Sequence, residues 1–146
     1  MAALLGSYSP NDVSVIVNGL PLEGFADGTF VNVEYMSDAA TMVEGADGSP
    51  AIAFKRGMRG ATVTFTCLQT SLANNYLNAL LQAQKFAASG ATTVSVTIRN
   101  AQGGELHSMP RGVFSKEPAA GFAVEVGSRE WSIIGQLNST FAGNEV

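Results

Sequence analysis

The sequence predicts a mainly β fold, a β-sandwich or barrel of about eight to ten short strands with one flanking α-helix. Three observations support this prediction. Several stretches alternate apolar and polar residues with the period of a strand, most regularly GATVTFTCLQ at 60–69. Only one segment, about residues 71–86, has helical apolar periodicity and lacks both Gly and Pro. Turn-forming Ala-Asp-Gly tripeptides at 26–28 and 46–48 separate strand-like runs.

A tight hairpin is predicted near the start of the chain. Residues 13–18 form the first strand, Asn18 and Gly19 the turn, and LPLEG a second segment that Pro21 keeps at a sheet edge. Another strand is predicted at 29–35, where Thr, Val, Val and Tyr side chains share the drier face because side chains alternate along a strand.

A long protruding hairpin is predicted at about residues 38–56, with a tip formed by the second Ala-Asp-Gly. Its arms mix apolar and charged residues on both faces, which is typical of an arm that lies on neighbouring subunits. The basic group after it has two interpretations: ion pairing with acidic residues of a neighbouring subunit, or a solvated turn. The residues predicted to make contacts between subunits are Glu44, Asp47, Gly48, Lys55, Arg56 and Arg59.

The helix is expected to begin at a cap on Thr70 or Ser71 and to end near Gly90. Its predicted apolar stripe comprises Leu72, Ala73, Tyr76, Leu77, Leu80 and Ala83, with Asn74 facing solvent. Three strands are predicted after it: TTVSVTIRN, RGVFSKE and AVEVGSREWSIIGQL, the last of which Gly127 can divide in two. A helix packed over one open edge would protect the strand edges.

Composition limits the function. The 146 residues suffice for one domain with a sizeable core, and charged residues make up only 14%, below the roughly 25% of an ordinary soluble domain. Low charge fits either a surface covered by other subunits or a monomer rich in Thr, Ser and Asn. The net charge of -4 argues against a protein that grips nucleic acid, because phosphate binding uses clustered Lys and Arg.

Residues suited to catalysis are scarce, and no catalytic, cofactor or metal site is predicted. His107 is the only histidine, and its setting, QGGELHSMP, predicts an exposed loop and an incidental role. Cys67 lies on the apolar face of its strand and is expected to be buried. Gly103 and Gly104 lack the Lys-Ser/Thr of a phosphate loop and predict a turn. Trp131 is expected in the core or at a subunit interface. The chain is therefore predicted not to be an enzyme.

Targeting signals were not found in the sequence. The N-terminus, MAALLGSYSP, lacks the positive region and the long apolar run of a signal peptide. No later stretch approaches the ~20 apolar residues that a membrane span requires. Synthesis and folding in the cytoplasm, with no membrane partner, are expected.

Two long blocks of the sequence resemble the tail tube protein family of tailed bacteriophages, particularly those with contractile tails. They are NDVSVIVNGLPLEGFADGTFVNVEY and VEGADGSPAIAFKRGMRGATVTFTCLQTSLANNYLNALL. The features that carry the resemblance are SVIVNG with GFADGTF after it, the GADG tip, the strand of alternating Thr that leads into the helix, and the late strand REWSIIG. The resemblance runs from about Tyr8 to Leu137.

The resemblance implies a single tail-tube domain over 1–146, with short arms at 1–11 and 138–146. It implies six-membered rings that stack into a hollow tube, with sheets of neighbouring subunits joined and the long hairpin making contacts between rings. Tail sheath, baseplate and tail-measure proteins would be partners in the virion tail, after synthesis in the host cytoplasm. DNA would pass through without specific binding, since neutral hydroxyl faces offer phosphates few cationic contacts.

Two other functions stay open on the sequence alone. One is the tube of a related contractile injection system, which would share the fold. The other is a monomeric β-barrel that binds a ligand, which predicts an apolar cavity and stabilisation by that ligand.

Overall fold

An antiparallel sheet of seven strands forms the body of the subunit in the computed structural model, which describes residues 8–87, 93–101 and 103–143. Its strand order is β2-β1-β7-β8-β9-β6-β3, and β4 and β5 pair separately as a hairpin. The elements are β1 (Val13–Val17), β2 (Leu20–Pro21), β3 (Val31–Tyr35), β4 (Ala40–Glu44), β5 (Pro50–Phe54), β6 (Arg59–Leu68), α1 (Ala73–Phe86), β7 (Val94–Asn100), β8 (Glu105–Lys116) and β9 (Ser128–Thr140). A 3-10 turn, Pro10–Asp12, precedes β1.

The chain that follows β2 joins the two ends of the sheet. The backbone N–H of Leu22 donates to the carbonyl of Val15 on β1 at 2.8 Å. A few residues later, the carbonyl of Gly24 accepts from the N–H of Leu68 on β6, also at 2.8 Å. Because β1 and β6 lie near opposite ends of the strand order, this segment nearly closes the sheet on itself. The predicted sandwich or barrel with one flanking helix is confirmed.

The core lies between the inner face of this sheet and α1. Strand β6 shows why: Ala61, Val63, Phe65 and Cys67 are buried, while the threonines between them are half-buried on the outer face. Full burial of a large apolar side chain stabilises the fold by about 1.5–3 kcal/mol, so the inner face dominates stability. The largest fully buried side chains include Phe65, Leu77, Met109, Ile133 and Leu137.

Side-chain hydrogen bonds hold α1 across the sheet. The Gln84 amide accepts from the backbone N–H of Phe114 at 2.8 Å and donates to the carbonyl of the same residue at 3.1 Å. Strand β7 begins opposite Gly112, so Gln84 takes the place of a neighbouring strand beside this part of β8. The Tyr76 hydroxyl donates to the Val17 carbonyl on β1 at 3.2 Å. The helix therefore spans the strands from β1 to β8.

The apolar stripe of the helix differs from the prediction. Leu72 and Ala83 are exposed, whereas Asn74 faces the sheet and accepts from the Trp131 indole N–H at 3.0 Å. A buried indole needs such a partner, so the helix is rotated to supply one. The helix begins at Ala73 and its N-cap position is Leu72, which makes no capping side-chain hydrogen bond, so the predicted cap at Thr70 or Ser71 is wrong by one residue or more. The Ser71 hydroxyl oxygen still accepts from the N–H of Ala73 at 3.2 Å. Gly90 lies outside the described residues. The buried helical residues are Ala73, Leu77 and Leu81.

The C-terminal strands also differ from the prediction in their limits. β8 begins at Glu105 rather than at 111, and β9 continues to Thr140 rather than ending at Leu137. The start of β8 pairs with the end of β9, with Leu106 opposite Thr140. Both strands therefore extend beyond their alternating apolar stretches, because pairing with a neighbouring strand outweighs a weak local preference. The stretch 123–127, predicted as the start of the last strand, is not a strand.

Only the second of the two Ala-Asp-Gly turns joins paired strands. At the first, the Ala26 N–H donates to the Thr66 carbonyl at 3.0 Å, and the Thr66 N–H donates to the Phe30 carbonyl at 2.9 Å. Both ends of the turn thus bond to one residue of β6, so Asp27 and Gly28 project from the sheet edge as a bulge. The predicted turns at Asn18-Gly19 and Gly103-Gly104 are confirmed.

Candidate functional site: the exposed hairpin and its base

Metal-binding clusters are absent from the part of the chain that the structure describes, where no three His, Cys, Asp or Glu residues come together to hold an ion. None of the helices in the described ranges has the length and apolarity that crossing a membrane requires. Cys67 is buried, as predicted, and burial raises the pKa of its thiol to about 11. The thiol is therefore protonated at neutral pH, which makes it a poor nucleophile.

His107 is buried in β8, so the prediction of an exposed loop histidine is wrong. The Tyr35 hydroxyl donates to Ser139 Oγ at 2.7 Å, and Ser139 Oγ lies 2.8 Å from His107 Nδ1. The other ring nitrogen, Nε2, lies 3.4 Å from a carboxylate oxygen of Glu105. The Phe141 ring packs edge-on against the imidazole. These contacts tie β3, β8 and β9 together at one end of the sheet.

The polar contacts run in series from Tyr35 through Ser139 and His107 to Glu105. A serine, a histidine and a carboxylate in series also form hydrolase triads. Here Ser139 accepts a hydrogen bond from Tyr35, which engages a lone pair of the oxygen that would attack a substrate. These contacts are best explained as a structural clamp. The local sequence does not reveal it, because His107 shares the buried face of β8 with Met109 while the apolar Leu106 before it is exposed.

The hairpin of β4 and β5 carries an apolar face with no cover within the subunit. Cross-strand pairing puts Met42 opposite Ile52 and Ala40 opposite Phe54, and these four side chains share one face. Met42, Ile52 and Phe54 are 66%, 65% and 60% exposed. An isolated two-stranded hairpin is marginally stable in water. Covering these three side chains would release about 1.5–3 kcal/mol for each one that became fully buried.

The tip of the hairpin is ordered around Asp47. The Ser49 backbone N–H donates to Asp47 Oδ1 at 3.0 Å, and the Ser49 hydroxyl donates to Oδ2 at 2.9 Å. These hydrogen bonds hold the pKa of Asp47 below its ordinary value, since they favour the charged form. Gly48 has a φ of 86°, in the left-handed region that favours glycine, and Glu44 lies exposed at the end of β4. The tip is therefore a preformed acidic turn.

The basic residues gather at the opposite end of the hairpin. Lys55 Nζ donates to Ser37 Oγ at 2.7 Å, and Arg59 Nη1 donates to the Ser37 carbonyl at 3.0 Å. The Arg59 guanidinium lies 4.2 Å from the centre of the Tyr35 ring, and the Arg56 guanidinium lies over the ring of Phe54, two residues before it in the chain. Ser37 thus positions Lys55 and Arg59, Phe54 positions Arg56, and the three cations are called here the basic patch.

The six residues predicted to make contacts between subunits thus fall into two groups. The tip group is acidic and the base group is basic, and five residues of β5 separate them. That length corresponds to roughly 17 Å at ~3.4 Å per residue. Within the described ranges, no ion pair joins the two groups. That these six residues contact a neighbouring subunit therefore stays a prediction.

The outer face of β3, β6 and β9 is a second extended surface. Cross-strand pairing aligns Asn32, Thr64 and Ser132 in one row and Glu34, Thr62 and Ile134 in the next. A third row pairs Thr66 with Glu130. Hydroxyl, amide and carboxylate groups dominate this face.

A nearly closed sheet, a flanking helix and an exposed apolar hairpin with oppositely charged ends are the features of a structural building block. The chain belongs to the bacteriophage tail tube family: residues 9–141 match the family described as Bacteriophage PhiTE tail tube protein. It is also 29% identical over 153 residues, 99% of this chain and 87% of the relative, to Structural protein ORF10 of Pseudomonas phage KPP10.

Solved structures share the fold at low sequence identity. A chain of the virion of a native gene transfer agent particle superposes with a TM-score of 0.61 and 12% identity, covering 92% of this chain and all of that one. The tube terminating cap of the anti-feeding prophage superposes with a TM-score of 0.55 and 8% identity, covering 97% and 96%. The sheath/tube terminator of an extracellular contractile injection system, PVC, superposes with a TM-score of 0.53 and 7% identity, covering 95% and 100%.

Proposed function

We propose that this chain is the repeating subunit of a hollow tail tube, in which six-membered rings stack and through which phage DNA is delivered. The observation that carries the proposal is the hairpin, whose apolar face is uncovered in a single subunit. Family membership supports the tube role, and the six-fold rings follow from the resemblance to contractile-tailed phages. Self-association would cover Met42, Ile52 and Phe54 and so stabilise both the hairpin and the assembly.

The charges at the two ends of the hairpin supply the contact between rings in this proposal. Glu44, Asp47 and Gly48 at the tip of one subunit lie against Lys55, Arg56 and Arg59 at the base of a subunit in the adjacent ring. Ser49 pre-orders the acidic tip and Ser37 pre-orders the basic patch, so little side-chain freedom is lost on pairing. The separation of the groups along β5 prevents a pairing within one hairpin.

The outer face of β3, β6 and β9 faces the lumen in this proposal. Its carboxylates, Glu34 and Glu130, repel phosphates, and its threonines offer hydroxyls rather than cations. None of the paired positions of β3, β6 and β9 on this face is basic, and the cations that border it are Arg111 and Lys116 of the adjoining strand β8. Nucleic-acid binding gains its affinity from clustered Lys and Arg, so DNA would pass without being held.

A tube in a virion tail also requires partners. Tail sheath, baseplate and tail-measure proteins are the partners proposed for the assembled tail, with synthesis in the host cytoplasm. The second candidate function is the tube of a related contractile injection system. The superposition on the PVC sheath/tube terminator favours keeping this candidate, since that chain is part of an extracellular contractile injection system.

Charge reversal at the hairpin tests the contact between rings. The double variant Glu44→Lys/Asp47→Lys should form rings that no longer stack, as seen by electron microscopy of the purified protein. Adding Lys55→Glu/Arg56→Glu should restore stacking. Normal tubes from the first variant would overturn the contact, and monomers alone from the parent chain at high concentration with tail partners would overturn the tube.

A further inference from the structure

A segment of strand-like sequence, Phe122–Val126, lies unpaired on the surface and is called here the FAVEV segment. Phe122, Val124 and Val126 alternate with Ala and Glu, and they are 83%, 105% and 63% exposed. Within the described residues, its backbone makes no hydrogen bond with the rest of the chain. This pattern is that of a β-strand with one apolar face, yet the segment has no partner strand in a single subunit. The Arg129 guanidinium lies 5.5 Å from the centre of the Phe122 ring, but the three apolar side chains stay mostly exposed.

The free edge of β3 is a suitable partner. The bonds from Met36 to Gly60 and from Thr66 to Phe30 show that even-numbered residues of this strand bond to β6. The N–H and C=O groups of Val31, Val33 and Tyr35 therefore point away from β6. β3 ends the strand order, and a cleft of about 420 Å³ runs along residues 28–33. This edge has both unpaired backbone groups and space beside it.

We propose that the FAVEV segment becomes a strand by pairing antiparallel with β3 of a neighbouring copy, an inference that rests on the proposed tube. The paired residues are Phe122 with Tyr35, Ala123 with Glu34, Val124 with Val33, Glu125 with Asn32 and Val126 with Val31. In this register the apolar side chains continue the inner face of the partner sheet. Glu125 joins its polar outer face, and strand addition at a free edge supplies the hydrogen bonds.

Other registers are disfavoured. A parallel arrangement over the same five residues would put Glu125 opposite Glu34, and like charges directly opposite are destabilising. A slip by one residue would turn Phe122 and Val124 onto the polar face. A slip of two residues toward Tyr35 would again put Glu125 opposite Glu34, and one toward Phe30 would carry Glu125 and Val126 past Val31, the first residue of β3. The proposed register is therefore the one that pairs all five residues with β3 while matching charge, side-chain face and backbone bonding.

The partner must be a second copy, because the chain cannot reach its own edge in this register. Gly127 is fixed by Gln69, whose N–H donates to its carbonyl at 2.9 Å and whose side chain accepts from its N–H at 3.2 Å. β6 separates this point from β3, a distance of roughly 10 Å for two strand spacings. Val126 is one residue from Gly127 and spans only ~3.4 Å. It cannot lie opposite Val31 of the same chain.

Disulfide trapping between copies tests the register. Asn32 and Glu125 form a non-hydrogen-bonded pair, which brings Cα atoms to about 4.5 Å, within disulfide range. A mixture of Asn32→Cys and Glu125→Cys subunits, assembled and mildly oxidised, should give covalent dimers on a non-reducing gel. Each variant alone should not, and neither should the parent with its buried Cys67. Glu34→Cys mixed with Glu125→Cys is the offset control, at about 7–8 Å, and should cross-link far less.

Proline substitution tests the backbone bonds. Val124→Pro removes an N–H that donates to Val33 of the partner, whereas Ala123→Pro removes one that points away from it. Val124→Pro should raise the protein concentration needed for assembly by about tenfold relative to Ala123→Pro, with equal melting temperatures for the two dissociated subunits. The strand pairing would be overturned if tubes form normally while the mixed Asn32→Cys and Glu125→Cys subunits fail to cross-link, or if both prolines have equal effects. Either result would leave the proposed tube standing. Failure of the parent to assemble with its tail partners would overturn both.

Discussion

Replacement of Gln84 by alanine should destabilise the subunit far more than its position on an amphipathic helix suggests. Gln84 satisfies both backbone groups of Phe114, a residue whose side chain is also buried. Each lost hydrogen bond costs about 0.5–1.5 kcal/mol, and more where the remaining group stays buried. The expected loss in the free energy of unfolding is therefore about 2–3 kcal/mol. For a chain of this size it lowers the melting temperature by roughly 6–9 °C.

The assay is urea unfolding followed by far-ultraviolet circular dichroism, with Gln82→Ala as the matched control. Gln82 lies on the same helix, is of the same residue type, and makes no side-chain hydrogen bond within the described residues. The control should change the free energy of unfolding by no more than about 0.5 kcal/mol. Equal effects of the two substitutions would refute the argument that Gln84 substitutes for a strand beside β8.

Four further outcomes are expected. Ile52→Asp should leave the melting temperature of the dissociated subunit unchanged and abolish tube formation in electron micrographs, because Ile52 is exposed in a single subunit and would be covered in the proposed tube. Deletion of residues 44–51 should leave a folded subunit by circular dichroism but weaken ring stacking; an unfolded product would contradict this division. His107→Ala should lower the free energy of unfolding by about 1–3 kcal/mol, measured in urea, because Ser139 loses its hydrogen-bond partner at 2.8 Å. The pKa of Asp47 is lower in the folded state than in the unfolded state. The charged carboxylate therefore stabilises the tip fully at pH values above the unfolded-state pKa, and this stabilisation is lost as the pH falls through the folded-state pKa. Protonation also removes the charge that meets the basic patch in the proposed contact, so tubes should come apart into rings at acidic pH below the ordinary range of an aspartate, followed by light scattering. Asp47→Asn, which is uncharged at every pH, should stack more weakly than the parent already at neutral pH.

The alternation of apolar and polar residues predicted most of the strands, because the two faces of such a strand differ clearly in polarity. The strand around Phe65 alternates apolar residues with threonine over its whole length, and only one face of it enters the core. The turn at Asn18-Gly19 has φ values of 50° and 83°, which few other residue pairs adopt without strain. Such features depend on neighbours in the chain, so the sequence displays them directly.

Features that depend on distant residues were predicted less well. The rotation of the helix follows from the need of Trp131 for a hydrogen-bond partner, which a helical apolar pattern does not reveal. His107 is buried because β8 extends alongside β9, beyond its own apolar run. At the hairpin, the sequence identified the acidic tip and the basic patch, but not Ser37, which organises the patch through a tertiary contact.

The opposite charges at the two ends of the hairpin give the subunit a direction. A stack in which each acidic tip meets the next basic patch is a head-to-tail arrangement, and an inverted subunit would bring like charges together. Such a contact does not close on itself, so in the proposed tube every stack would end with acidic tips exposed at one end and basic patches at the other. The two ends of that tube would be chemically different surfaces, so that a different protein could start or stop growth at each.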